Sequence, residues 1–149
     1  MTTQAPCAEL LLDNQLCFAL YSTSLMMTKV YKPLLQELGL TYPQYLTMMV
    51  LWEDDGITVG DVSSRLLTDP GSVTPLLKRL EAEGLLKRTR SSVDERVVEL
   101  FLTDKGLTLR ERAKAIPTCI LSASEQSMAE LSTLKNELIA LRDNLQKAI

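Results

Sequence analysis

The stretch TDPGSVTPLLKRLEAEGLLKRTRSSVDERVVELFLT, residues 68–103, decides the fold. Its first four residues, Thr68-Asp69-Pro70-Gly71, are a break followed by a new start. Asp69 is a helix-capping residue, and Pro70 suits the first helical position, where its missing N–H costs nothing. Val73, Leu76, Leu77 and Leu80 recur at helical spacing, and Gly84 supplies the stop. The opposite face of this helix offers Ser72, Thr74, Lys78 and Arg79. Residues 85–90 then read as a strand and 91–96 as a polar turn. Val98, Leu100 and Leu102, alternating with Glu99 and Phe101, read as a second strand.

Upstream, residues 8–38 read as one long helix, with Leu16, Leu20, Met27, Val30, Leu34, Leu35 and Leu38 at helical spacing and Gly39 as its stop. A second helix starts after Thr41, carries Pro43 in its first turn and ends at Asp54-Asp55-Gly56. A short third helix opens with Thr58 and Asp61 at capping-box spacing. Downstream, Thr103 caps a helix running towards Ile116 and Cys119, which Pro117 kinks or interrupts. Residues 122–127 are Ser-rich and read as a break. The last helix carries Met128, Leu131, Leu134, Leu138, Leu141 and Leu145, a heptad-like seam. A short helix, a tight turn, a second helix and a basic hairpin, in that order, make a winged helix-turn-helix. The expected fold is mainly α with a small β-hairpin wing, in an intertwined dimer. Residues 1–149 form a single chain unit, with 1–40 and 115–149 as the helical dimerisation region and 41–114 as the DNA-binding lobe.

Composition narrows the function. The chain is 46% hydrophobic and 23% charged, ordinary for a globular protein. No apolar run approaches the ~20 residues of a membrane span, and no basic residue precedes the short apolar run near the N-terminus. Three widely spaced cysteines do not make a secreted disulfide framework, so a cytoplasmic location is expected. The absence of histidine argues against zinc and against a Ser-His-Asp triad, and no cofactor is expected.

The net charge of −3 is unevenly spread. Residues 1–64 carry two Lys/Arg and seven Asp/Glu, net −5; residues 65–114 carry eleven and eight, net +3; residues 115–149 carry three and four, net −1. A basic middle between acidic ends fits a DNA-contacting lobe on an acidic scaffold. In that lobe the helix from Pro70 offers Ser72, Thr74, Lys78 and Arg79, and its N-terminal amides could face a phosphate. The hairpin adds Lys87, Arg88, Arg90 and Arg96, and an Arg at a narrow tip suits the electronegative minor groove. Each element alone reads more readily as an ordinary solvated helix or charged hairpin. Their order together favours double-stranded operator DNA as the partner.

The runs Leu76-Leu77-Lys78-Arg79-Leu80-Glu81 with Gly84-Leu85, then Asp94-Glu95-Arg96, then Leu102-Thr103-Asp104-Lys105-Gly106, resemble the MarR family of bacterial transcription regulators over nearly the whole chain. The resemblance implies a dimeric repressor. It implies that the helix from Pro70 reads the major groove, that Arg96 reaches the minor groove, and that Asp94 positions Arg96.

Cysteine chemistry is the second theme. Counting by sevens puts Cys17, Ser24, Tyr31 and Leu38 on one stripe of the first helix, with Tyr21 one turn beyond Cys17. A Cys on an apolar helical face is most often inert core. Nearby phenols change that, because a phenol can donate a hydrogen bond to a thiolate. Tyr21 can reach Cys17 within one chain, but Tyr31 lies ~21 Å further along the helix at ~1.5 Å per residue. Two copies of this helix crossing antiparallel near Ser24 would bring Cys17 against the other copy's Tyr31. With Cys17 about two turns inside its helix, the helix dipole would contribute little.

The spacing Cys17, Tyr21, Tyr31, Tyr42 is similar to that of the organic hydroperoxide sensors of the MarR family, the OhrR type. That resemblance implies that Cys17 is the peroxide-reactive residue, that an organic hydroperoxide is the inducer, and that Tyr31 and Tyr42 bond to Cys17 from the partner subunit. It implies an apolar entry near Phe18. Two-cysteine members carry a resolving Cys in a stretch resembling Leu-Leu-Cys-Ala, where this chain has Ile120-Leu121-Ser122-Ala123. Ser122 thus stands where a second sulfur is expected, whether by natural or engineered replacement. The oxidised sulfur would be resolved by Cys119 or by a small external thiol. Cys7 has no expected role. Three other readings stay open: a MarR-type regulator of a small aromatic ligand with Cys17 passive, a thiol-dependent peroxidase, and an interaction module without DNA.

Overall fold

The computed structural model describes residues 5–149. The chain divides into two compact units, the first ending at Ala113 and the second running Lys114–Ile149. The first unit opens with two short 3₁₀ turns, Ala8–Leu10 and Leu12–Asn14, before helix α1, Leu16–Gln36. The expected helix start near residue 8 is therefore corrected to Leu16. The reason is local competition: Asn14 Nδ2 donates to the Ala8 carbonyl at 2.8 Å, and Gln15 Nε2 donates to those of Glu9 and Leu11 at 2.8 and 2.9 Å. These amides offer the backbone an alternative to the helical ladder. α1 stops as expected, with Gly39 left-handed at φ +71° and the Leu40 N–H returning to the Leu35 carbonyl.

Helices α2 (Tyr42–Glu53), α3 (Val59–Arg65) and α4 (Pro70–Ala82) follow, then strands β1 (Leu86–Arg90) and β2 (Val98–Leu102). Both Thr41–Gln44 and Thr58–Asp61 form full capping boxes, and the Asp69 carboxylate accepts the Ser72 N–H at 2.9 Å to start α4. Each such cap is worth about 1 kcal/mol. Val73, Leu77 and Leu80, at helical spacing on α4, are fully buried together with Met48 and Leu51 of α2, Val62 of α3, and Leu100 of β2. Burying one such side chain stabilises by roughly 1.5–3 kcal/mol. The hairpin is antiparallel, with Leu86 opposite Leu102, Arg88 opposite Leu100 and Arg90 opposite Val98. The segment before α3 joins the outer side of β2: Leu100 donates to the Ile57 carbonyl, and Gly56 donates to that of Leu100.

Helix α5, Asp104–Ala113, packs across the junction between α4 and the hairpin. Thr103 caps it by accepting the Gly106 N–H, and the same hydroxyl donates to the Gly84 carbonyl at 2.5 Å. Lys105 Nζ donates to the Glu83 carbonyl at 2.6 Å, and Trp52 Nε1 to that of Gly106 at 2.9 Å. At its other end Arg112 donates to the Glu37 carbonyl at the end of α1.

The second unit holds α6, Ile116–Ser124, and α7, Met128–Lys147. Pro117 lies in the first turn of α6, so the helix expected from Thr103 to Cys119 is interrupted ahead of it. The Ser-rich break is shorter than expected, because α6 continues to Ser124. Glu125 turns left-handed at φ 54°, and Ser127 caps α7 in a box with Glu130. Among the described residues, no helix is long and apolar enough to cross a membrane.

Gly106 generates a test. A Cβ there would overlap the Leu85 carbonyl oxygen, a backbone atom that cannot swing aside. Ala is favoured over Gly inside a helix by about 1 kcal/mol, whereas overpacking costs about 1–3 kcal/mol. Gly106→Ala should therefore lower the denaturant midpoint with an unchanged m-value. A raised midpoint would mean that α5 is free to slide on the junction.

Candidate nucleic-acid interface and cysteine site

On α4, Ser72, Lys78 and Arg79 are exposed and Thr74 is half-buried. The expectation that the N-terminus of α4 presents its amides to a phosphate is not met at Ser72. Its N–H and its hydroxyl are both taken by the Asp69 carboxylate, at 2.9 and 3.1 Å. These donors hold the Asp69 carboxyl below the usual range. The Thr74 hydroxyl donates to the Pro70 carbonyl and lines a cleft of about 400 Å³ between α4 and the wing. Arg88 and Arg96 line the same cleft.

The wing cations are ordered by acceptors from their own chain. Arg96 places Nε and Nη2 on the two Asp94 carboxylate oxygens at 3.1 and 3.2 Å, and its backbone N–H donates to Asp94 as well. These bonds hold the Asp94 carboxyl below its usual range. The Arg96 side chain is still 90% exposed, so it remains available to a partner. Ser91 shapes the tip by accepting the N–H groups of Val93 and Asp94. Arg90 crosses the hairpin and donates to the Glu95 carbonyl at 2.8 Å.

Arg88 differs from the other expected DNA contacts. Its side chain is only 29% exposed and is engaged by Glu81 of α4. Glu81 was not among the expected site residues. The signal that could have found it is the pairing of opposite charges on either side of the Gly84 stop.

At the cysteine site the structure brings part of the expected set together. Tyr31 and Tyr42 are both half-buried, with ring centroids 4.9 Å apart. Tyr45, outside the expected set, completes a cluster at 6.0 Å from Tyr31 and 6.4 Å from Tyr42. Its signal was its place three residues after Tyr42, on the same helical face. Burial pushes the Tyr31 phenol up to about 12, with Tyr42 and Tyr45 adding to the shift. Burial raises Tyr42 and Tyr45 too.

Cys17 is a free, exposed thiol rather than a core residue. Because α1 begins at Leu16, Cys17 lies in its first turn, which corrects the expected depth of two turns. It therefore stands among the first residues of α1, whose N–H groups have no helical partner. Tyr21, at 63% exposure, makes no side-chain hydrogen bond to it. Cys119 and Ser122 are exposed one turn apart on α6, and Cys119 is a free thiol. Cys7 donates to the Glu9 carboxylate at 2.9 Å.

Each unit leaves apolar side chains uncovered. Leu35 is the only buried residue of α1, while Leu16, Tyr21, Leu25, Met26, Met27 and Val30 are exposed. α7 has no buried residue and exposes Met128, Leu134, Leu138 and Leu145.

Residues 29–112 match the family model described as transcriptional regulator SarA/Rot. The chain is 48% identical over 136 residues to the organic hydroperoxide resistance transcriptional regulator of Bacillus subtilis, covering 91% of this chain and 92% of that one. A solved structure of reduced AbfR bound to DNA is 35% identical, with a TM-score of 0.81, covering 93% of this chain and 94% of that one. A disulfide-formed AbfR structure is 34% identical, with a TM-score of 0.63, covering 93% and 92%. AbfR is from Staphylococcus epidermidis. The chain belongs to the MarR family of transcription regulators, closely related to its OhrR- and AbfR-type members.

Proposed function

We propose that this regulator is a homodimeric repressor that holds operator DNA while Cys17 is reduced and releases it when an organic hydroperoxide oxidises Cys17. The observation that carries the redox half is the Tyr31–Tyr42 pair, 4.9 Å apart on α1 and α2, while the thiol on α1 is left exposed. Phenols whose protons are held by burial are donors across the working pH range. In a twofold dimer each pair would face the other subunit's Cys17 and bond its thiolate. The first-turn position of Cys17 adds the positive end of the α1 dipole, which favours a negative charge there. Tyr21 flanks the thiol from its own helix, and Phe18, half-buried, borders the entry.

The chemistry balances on sulfur. The Cys17 thiolate attacks one peroxide oxygen, the O–O bond breaks, and the alkoxide leaves and takes a proton as the alcohol. Sulfur is oxidised by two electrons to the sulfenic acid. A second thiol then forms a disulfide and releases water. Ser122 has no sulfur to offer, so the resolving thiol is Cys119 or a small free thiol. The relatives support two shapes for such a chain. The AbfR structures include a reduced form bound to DNA, at a TM-score of 0.81, and a disulfide-formed one, at 0.63.

For the DNA half, α4 would enter the major groove with Ser72, Thr74, Lys78 and Arg79. Arg88, Arg90 and Arg96 would follow along the wing, with Asp94 orienting Arg96 into the minor groove. Residues 41–114 would form this lobe. The exposed apolar faces within 1–40 and 115–149 would close the dimer, since patches of this extent do not stay in water.

Cys17→Ser protein should bind a library-selected operator as wild type does, yet stay bound on treatment with tert-butyl hydroperoxide. Release of that variant by peroxide, followed by electrophoretic shift, would move sensing elsewhere. Arg96→Ala should weaken operator binding by about 1–3 kcal/mol with the dimer intact by sedimentation. Unchanged affinity would remove the wing from recognition. Tyr31 makes a third test through pH. A phenol held to about 12 in the folded state contributes stability that is fully present below its ordinary value near 10 and is lost as pH rises through about 12. Tyr31→Phe should flatten the alkaline fall in stability over that window and delete the last phase of phenolate absorbance. A titration identical to wild type would count against a shielded Tyr31.

A further inference from the structure

We propose that Glu81 is a positioning residue for DNA recognition: by holding Arg88, it sets the wing against the recognition helix and so controls operator specificity. The proposal rests on the DNA-binding reading above and extends it to a carboxylate that has no place among the expected contacts. Glu81 stands on the last turn of α4, and Arg88 is the third residue of β1, just across the Gly84 turn. One carboxylate oxygen accepts the Arg88 backbone N–H at 2.8 Å, and the other accepts the Nε–H at 3.1 Å and pairs with Nη2 at 3.1 Å. A single acid thus grips both the main chain and the side chain of one strand residue.

The hairpin register explains why that N–H is available. Arg88 stands opposite Leu100, whose own N–H and carbonyl are both turned to residues 56–57 on the far side of β2. In an antiparallel ladder this makes Arg88 and Leu100 a non-hydrogen-bonded pair, so the Arg88 N–H faces the outer edge of β1. The Glu81 carboxylate fills that edge. Both partners are about one-third exposed, which shields the pair more than a fully solvated surface bridge. The bonds also hold the Glu81 carboxyl below its ordinary range, the Arg88 backbone N–H being the largest cause.

The consequence lies in the cleft. Arg88 borders it beside Thr74 of α4 and Arg96 of the wing. The two elements that would enter adjacent grooves of DNA therefore meet at a guanidinium whose direction Glu81 dictates. Simple electrostatics and positioning predict opposite results when the Glu81 charge is removed. Loss of an anion from a DNA-facing surface should tighten all DNA binding, most at low salt. Loss of a positioning bond should weaken only the sequence-specific part.

The experiment uses the full-length wild-type dimer and Glu81→Gln, with a duplex selected from a random library by the wild type and a scrambled duplex of the same composition, titrated at several salt concentrations. Glu81→Gln should bind the scrambled duplex at least as tightly as wild type and the selected duplex about tenfold more weakly, collapsing the ratio between them. In an Arg88→Ala background, Glu81→Gln should lower that ratio less than it does in the wild type, because only the main-chain bond is left to disturb. Arg88→Lys keeps the charge but loses the planar fork, and it should reproduce the loss of specificity in a protein whose thermal midpoint shows it folded. An unchanged or increased ratio in folded Glu81→Gln would overturn the proposal. A wild type that cannot distinguish the two duplexes would instead overturn the DNA-binding reading on which it stands.

Discussion

The winged lobe depends on the contact between Gly106 and the carbonyl of Leu85, where a helix lies directly on a chain turn with no side chain between them. That approach lets the first turn of α5 serve as the C-terminal cap of α4. The Glu83 and Gly84 carbonyls, which the helix leaves without partners, are taken by Lys105 and Thr103. Trp52 of α2 closes the same junction from the other side through the Gly106 carbonyl. The recognition helix, the base of the wing and α5 therefore share one anchor. Arg112 carries the connection to the end of α1, the helix that bears Cys17 at its other end. Through α5, hydrogen bonds thus join the end of α1 to the end of α4, alongside the packing of both helices on α2.

Electrostatics in the lobe follows from pairing rather than from total charge. A chain of net charge −3 still carries a wing rich in cations, two of which are oriented by acids of the same chain. Asp94 splints Arg96, Glu81 splints Arg88, and the Glu95 carbonyl pins Arg90. Each bond restricts the rotamers of a long side chain within the free protein. The same logic limits the helix N-terminus, where Asp69 stabilises α4 by occupying an amide that a phosphate would otherwise use.

The cysteine site has a different architecture. The thiol is exposed while the phenols are half-buried on the same subunit. Leu16, Met26 and Val30 on α1, and Leu134, Leu138 and Leu145 on α7, are left exposed. Cys17 and Tyr31 stand near opposite ends of α1.

Much of this was legible in residue order. The capping residues Thr58 and Asp69, the stops at Gly39 and Gly84, the alternation in β2 and the pairing of Asp94 with Arg96 are local features, each set by bonds spanning a few residues. Local chemistry of this kind survives whatever the rest of the chain does. The start of α1 was not legible, because its apolar spacing continues through residues that Asn14 and Gln15 pull out of the helix. That shift alone changes the electrostatic setting of Cys17. Nor were the Glu81–Arg88 grip, the third tyrosine of the cluster or the fit of Gly106 against Leu85. The sequence by itself determined the order of elements, their caps and the basic wing. Only the tertiary structure decided which charges are already spent and which remain for a partner, because that depends on contacts between segments that no periodicity encodes.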